Sequence, residues 1–314
     1  MPYINVDEVY ILDNTGLQVD QVTDLPYTNA GLTESQQAQA RKNIAAGGTN
    51  PNLLDNPFFT INQRGQASYT GAAFGVDRWT MAGASGSVVV NSGYLTISNV
   101  AGSPYLQRLG RELKLGKTYT ASILLNDGTV NSVTFTTSTQ KEYVYQLGNY
   151  YFELDARSAY APNYRFMIYG NSTWTMDIVA AKLELGSVST LANDTPPDYG
   201  TELIKCRGYF ERIHSLGSSE IVGMGMGVSA SSVRIGIPSL ICHTIQSVTY
   251  SGGGLLLEGG GNYRALTSIG KLNATPKNGF LTVTCGSSDA ITLYQTYALV
   301  GTAAGGYIDI SADL

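Results

Sequence analysis

Aromatic residues are the first candidates for chemistry in this chain, because a flat ring lies against the C–H face of a sugar while Asn, Asp and Arg reach its hydroxyls. Tyr143, Tyr145, Tyr150, Tyr151, Tyr160, Tyr164, Tyr169, Trp79 and Trp174 fall within one β-rich stretch. Aromatics favour strands in any case, so most are expected to be core or sheet-surface residues, Trp79 in "VDRWTM" among the core. Tyr150, Tyr151, Tyr160 and Tyr164 surround "SAYAPNY" at strand ends and loops and are the platform candidates for glycan binding. Carboxylates come second. Cleaving a glycosidic bond takes two acids about 5–10 Å apart, and Asp155, Asp177, Glu184, Glu211 and Glu258 occur singly, with no spacing that pairs them.

Other catalytic or ligand patterns are missing from the sequence. His214 and His243 have no neighbouring ligands, and Cys206 to His214 is not a zinc spacing. The serines lack GxSxG. "SGGGLLLEGGG" is followed by no GK[ST], so its glycines read as turns or as close packing at a subunit interface, not as a phosphate loop. Neither a cofactor nor a metal is expected. Cys206, Cys242 and Cys285 are widely spaced, without CxxC, and read as free, mostly buried thiols of a reducing compartment. Loops such as "SGGG" (251–254) and "EGGGNYR" (258–264) can vary on a rigid scaffold, and there Tyr263 and Arg264 suit receptor contact.

Composition sets what must position these groups. Of 314 residues only 14 % are charged, against about a quarter in ordinary domains, while glycine (36) and tyrosine (21) are abundant. This is the make-up of β-sandwiches and fibrous assemblies. The net charge of −5 with no basic run argues against nucleic acid. "MPYINVDEVY" does not read as a signal peptide, and no apolar stretch reaches the roughly 20 residues of a membrane span.

Residues 1–31 read as an arm, "VYIL" and "LQVDQV" about a turn at Asn14-Thr15-Gly16. A short helix is predicted over 32–48. Thr33 and Gln36 form a capping box, Glu34, Arg41 and Lys42 complement the helix dipole, and Gly47 and Gly48 end it. Its dozen or so residues are marginal alone. Its thin apolar strip, including Leu32, Ala40 and Ile44, must be covered either by its own β-domain or by copies of itself. From 50 to 190 nine stretches read as strands, several of them alternating cleanly. In "KTYTASILLN", Tyr119, Ala121 and Ile123 share one face and Thr118, Thr120 and Ser122 the other. An antiparallel sandwich follows, with jelly roll the best-fitting form. "TPPDYG" is a linker, "TELIKCRGYFERI" a short helix or turn, and 198–314 a second, glycine-dense β unit, expected as a sandwich.

Three stretches carry a family resemblance. "LTESQQAQARKNIAAG" resembles the connector helix of bacteriophage tail-fibre proteins. "NLLDNPFFTINQRGQASYTGAAFGVDRW" is similar to the opening of the carbohydrate-binding-like jelly roll of phage tail fibres and related virion appendages. "AAKLELGSVSTLANDTPPDYGTELIKCRGYFERI" resembles the segment by which that domain passes to a C-terminal tip, and "GGYIDISADL" its last strand. The resemblance implies a non-enzymatic structural virion protein, usually a homotrimer, assembled in the host cytoplasm. Leu32, Ala40 and Ile44 would meet at the trimer axis, residues 1–30 would bind other virion proteins, and the β domains would meet a bacterial surface glycan, giving avidity through three copies. "INVDEVYILDNTGLQVDQVTDLPY" matches no baseplate-attachment domain, which leaves a tail fibre and a capsid-bound head fibre both open. A glycan depolymerase is the alternative from another class.

Overall fold

The structure is a computed structural model, and it describes residues 50–314 except for 72–73, 100–101, 110–112, 138–141, 148–149, 156–164, 171, 216, 219, 252–253, 272–279, 303–305 and 313–314. The arm, the connector helix with Leu32, Ala40 and Ile44, and the platform candidates Tyr160 and Tyr164 lie outside the described residues.

The chain is mainly β, with antiparallel pairing in every sheet. All nine stretches expected as strands between 50 and 190 are strands. They are β3 (Ser87–Val90), β4 (Leu95–Asn99), β5 (Tyr105–Arg108), β6 (Thr118–Leu125), β7 (Val130–Thr136), β8 (Glu142–Leu147), β9 (Tyr150–Asp155), β10 (Arg165–Gly170) and β11 (Trp174–Leu185). Two short strands join them, β1 (Ser68–Thr70) and β2 (Thr80–Met81). One sheet runs β1-β3-β4-β11-β6-β7 and the other β2-β5-β10-β9-β8. Apolar residues of both sheets merge into one core: Val88, Ile97, Ala121, Ile123 and Ile178 from the first, Met81, Tyr105, Phe166 and Ile168 from the second. Trp79 is fully buried in that core, stacked on Tyr105 at 5.4 Å with Phe59 and Phe166 against it edge-on.

The alternation in β6 holds on its apolar row: Tyr119, Ala121 and Ile123 are buried. Its polar row departs from expectation, since Thr120 and Ser122 are buried as well. A strap over 186–194, ending in a single 3-10 turn (Leu191–Asn193), crosses the outer face of the sheet there. Thr120 Oγ1 donates to Gly186 O (2.8 Å), Ser122 Oγ to Ser189 Oγ (2.7 Å), and Leu191 is fully buried. A bulge in β11 between Ile178 and Ala180 shifts which row faces the core, so Lys182 and Glu184 come under the strap.

Helix α1 (Tyr199–Arg207) follows. Asp198 caps it by accepting the Thr201 N–H at 2.8 Å, and that bond holds its carboxyl below the usual range. The C-terminal unit comprises β12 (Phe210–Ser215), β13 (Ile221–Ser229), β14 (Ser232–Pro238), β15 (Ser247–Tyr250), β16 (Leu255–Gly259), β17 (Asn262–Lys271), β18 (Phe280–Ser287), β19 (Thr296–Gly301) and β20 (Gly306–Ser311). The expected tip sandwich is corrected here. Six strands close into a barrel, β13-β14-β18-β17-β16-β19, and β12-β20-β15 form a separate three-stranded sheet. Small residues allow the closure. Gly223, Gly225 and Gly227 alternate along β13, and register sets Gly225 opposite Ile235 and Tyr297. A Cβ on Gly223 would lie 2.6 Å from Gly236 O, and one on Gly225 would overlap the Arg234 carbonyl. Glycines facing large side chains fill a narrow barrel that two large rows would force open. The three-stranded sheet shares the barrel core through Ile308 and Ile310.

Cys206 and Cys285 are buried, and desolvation raises both thiols, Cys285 to about 12, whereas Cys242 is exposed. A thiol-reactive chromophore at mildly alkaline pH is therefore expected to label one cysteine in the native chain and all three in denaturant. Labelling of three thiols at equal rates in the native chain would contradict the fold.

Candidate functional site

The first and last parts of the sandwich carry polar residues in numbers that a surface reading would leave in water. Most are buried. Asn56, fully buried with φ +49, adopts the left-handed conformation that asparagine tolerates. Its side-chain amide donates to Ile61 O and Asp77 O (2.9 Å each), and its oxygen accepts the Ile61 N–H at 2.9 Å. Its carbonyl accepts the Trp79 indole N–H at 3.1 Å. Its own N–H donates to Glu202 Oε1, on α1. One residue thus ties the entry of the sandwich, its central tryptophan and the helix that leaves it.

Around it, cations interleave with aromatic rings. Arg78 pairs with Asp55 (3.2 Å), donates to Arg108 O (2.6 Å) and lies 3.4 Å over the Tyr209 ring. Arg64 stands 3.6 Å over Phe210 and 3.7 Å from Asp77. Gln63 donates to Phe210 O at 2.7 Å, and Arg212 donates to Arg64 O at 2.6 Å. Arg212 also grips Asp309 with two 2.6 Å bonds across β12 and β20, which raises its pKa. Stretches 55–64 and 77–79 are thereby locked to 202–212 by hydrogen bonds and cation–π contacts.

Beside this joint is a cleft of about 410 Å³, within the usual range of small-ligand sites, roughly 300–1,000 Å³. Asn50, Asn52, Phe58, Asn193, Asp194 and Lys205 line it, together with prolines 51, 57 and 197. Two breaker-rich stretches, "NPN" (50–52) at the entry and "NDTPP" (193–197) at the exit, meet here. The Asn52 side chain explains why: it donates to Ala181 O (2.8 Å) and accepts the N–H groups of Leu54 (3.0 Å) and Leu183 (3.2 Å). Amides, a carboxylate and an amine beside an aromatic ring and proline faces are a suitable lining for a polyhydroxylated ligand. Sequence reading foresaw no cleft at either stretch. Their shared Asn/Pro composition was the available signal.

The foreseen site residues fare differently. Tyr150 and Tyr151 are consecutive at the start of β9. Register pairs Tyr151 with Tyr169, and Tyr150 with Gly170. Tyr263 and Arg264 are not in a loop but begin β17, after a two-residue turn at Gly260-Gly261 whose φ angles are +63° and +76°. Tyr263 is 54 % exposed and stands opposite Glu258 in register. Arg264 donates to Gly259 O (2.7 Å) and Ala290 O (3.0 Å) and lies 5.2 Å from the Tyr297 ring centre, so its head group braces its own barrel.

Of the foreseen carboxylates, Asp177 accepts from Thr96 Oγ1 (2.7 Å) on an exposed sheet face. Glu184 is buried beside Lys182. Glu211 is buried with Arg207, the Ser239 hydroxyl (2.9 Å) and the Leu240 N–H (2.8 Å). These three are held in separate clusters. His243 stacks on Tyr209 at 4.0 Å, and His214 lies 6.3 Å from the Tyr307 ring. Among the described residues, no three His, Cys, Asp or Glu side chains converge as metal ligands, and no helix is long and apolar enough to cross a membrane.

The joint gives a direct prediction. Glu202→Ala leaves the Asn56 N–H buried without its acceptor and removes the 3.0 Å partner of Lys205, at an expected cost of about 1–3 kcal/mol. Calorimetry should then show the sandwich and the C-terminal unit melting as two resolved transitions. A single unshifted transition would contradict the coupling. Compared with known proteins, the chain matches no family model, no curated protein and no solved structure, so the joint and its cleft stand on their own geometry.

Proposed function

We propose that the chain is a non-enzymatic structural fibre of a bacteriophage virion, homotrimeric, anchored through its N-terminal arm and presenting its β domains to a bacterial surface glycan. In this reading 50–190 is the carbohydrate-binding-like jelly roll and the barrel unit is the tip. The observation that carries it is the joint. The two stretches whose sequences resemble the opening and the exit of the fibre jelly roll are the stretches that interlock, through Gln63 with Phe210 and Asn56 with Glu202. A fibre needs successive domains held in a fixed relation, and a buried hydrogen-bonded seam supplies that. The cleft at Asn50, Asn52, Phe58 and Lys205 is the glycan site this reading favours over the tyrosine rows.

Light scattering on the full chain should give the mass of three copies, and labelled antibody should decorate one end of the virion tail or the capsid shell, separating tail fibre from head fibre. A monomer at micromolar concentration counts against the proposal. So does release of new reducing ends from host polysaccharide, which would favour a depolymerase. On a glycan array the full chain should bind a defined sugar class, and Lys205→Ala should weaken that binding.

A further inference from the structure

The strap over the sandwich holds a second arrangement, which does not rest on the fibre reading although its Asp194 also lines the cleft. Lys182 and Glu184 lie two residues apart on one face of β11, and both are fully buried although neither belongs to the apolar core. The strap brings Asp194 to them. Lys182 Nζ stands 2.8 Å from Asp194 Oδ1, 2.6 Å from Oδ2, 2.6 Å from Thr190 Oγ1 and 3.5 Å from Glu184 Oε2. Thr190 fixes the glutamate in turn: Glu184 Oε1 accepts its N–H at 2.7 Å, and Oε2 accepts its hydroxyl at 2.6 Å.

The ammonium sits between two carboxylates, the fully buried Glu184 and Asp194, which is partly exposed at the rim of the cleft. A nitrogen within reach of both oxygens of a carboxyl group is about 3 Å from the carbon between them, so the two atoms to be joined are already in contact. The amine, its electrophile and a second carboxyl group able to carry protons are therefore held together.

We propose that Lys182 and Asp194 are joined by an intramolecular amide bond that the folded chain makes by itself, with Glu184 as the proton carrier. The lysine ammonium gives one proton to Glu184, and its nitrogen lone pair forms a bond to Asp194 Cγ. Glu184 returns the proton to a departing carboxyl oxygen, the C–O bond breaks, and the nitrogen loses its second proton to the same oxygen. An ammonium and a carboxylate become one amide and one water. No electrons change hands, no co-reactant is consumed, and Glu184 ends as it began. Preorganisation replaces activation, because positioning removes the entropic cost of encounter.

Intact-mass spectrometry of the purified full chain tests this. The mass should fall short of the sequence by one water, and Lys182→Arg should restore the full value, which separates this loss from cyclisation at Asp127-Gly128. Trypsin should leave the Lys182–Leu183 bond uncut. A second protease cutting between the two residues should then release two peptides still joined through Lys182 and Asp194. Full mass in the wild-type chain, together with tryptic cleavage after Lys182, overturns the proposal and leaves a plain buried ion pair. That wild-type measurement decides the matter even where a variant does not fold. In a Glu184→Gln chain that refolds by circular dichroism, the bond should form about a hundredfold more slowly, the low end of general acid–base effects. An unchanged rate removes Glu184 from the mechanism.

Discussion

Trp79→Ala is expected to destabilise the sandwich by about 3–5 kcal/mol, the range for truncating a large buried aromatic. Two losses coincide at this position. The indole fills the space between the two sheets, stacked on Tyr105 at 14° and met edge-on by Phe59 at 5.2 Å and Phe166 at 6.1 Å. Its N–H also satisfies the Asn56 carbonyl, within the joint. Alanine leaves a cavity and an orphaned buried acceptor, so the effect should spread to the joint and loosen α1. Chemical denaturation followed by circular dichroism measures it. Val89→Ala, on an exposed strand position, should stay within about 0.5 kcal/mol and serves as the control. Equal effects for the two substitutions would mean that Trp79 is not the centre of the core.

The second large effect is expected at Gly225. An added methyl group there overlaps the Arg234 carbonyl and lies 2.7 Å from Ile235 Cα. These are backbone atoms of the neighbouring strand and cannot rotate away as a side-chain tip can. Gly225→Ala must therefore part β13 from β14, at a cost at or above the roughly 3 kcal/mol upper end of ordinary overpacking. Hydrogen exchange should show protection lost at Met224, Met226 and Arg234 while β6 and β11 of the sandwich keep theirs. Gly270→Ala, where nothing lies within 4 Å of the added carbon, should change little. If the two variants exchange alike, β13 does not sit in a closed barrel.

The contrast between these two positions shows what the sequence carries. Trp79 was legible as core, and so were the strands with clean alternation, because burial on one face leaves a period of two in the residues themselves. β13 was not legible. In "GMGMGVS" the small residues face the interior and the methionines face outward, Met224 and Met226 both being exposed, which inverts the usual pattern. Locally, glycine signals a turn. Only the neighbouring strand's carbonyl makes it a strand residue here, and that neighbour is set by tertiary structure.

The joint was hidden for a related reason. Asn56, Asp77, Glu202 and Glu211 are residue types that normally face water, and nothing in their immediate surroundings announces that partners will take them out of it, Asn56 and Glu202 meeting across 146 residues of chain. Thr120 and Ser122 repeat the point: their row reads as solvent-facing until the strap covers it. The two stretches quoted for the resemblance, 52–79 and 180–213, touch, and nothing within either indicates it. The cleft follows from that contact and could not be read before it.

Where the chain enters and leaves the sandwich has a mechanical consequence. The Leu53 N–H donates to Leu183 O at 2.8 Å, and Asn52 holds Ala181, so the first described residues lie against the strand that leads out through the strap to α1. A pull applied between residue 50 and residue 198 would pass through those few bonds and the end of β11, while the other ten strands of the sandwich hang slack to one side. Under tension the molecule should therefore yield first at this clasp, with both sheets still folded.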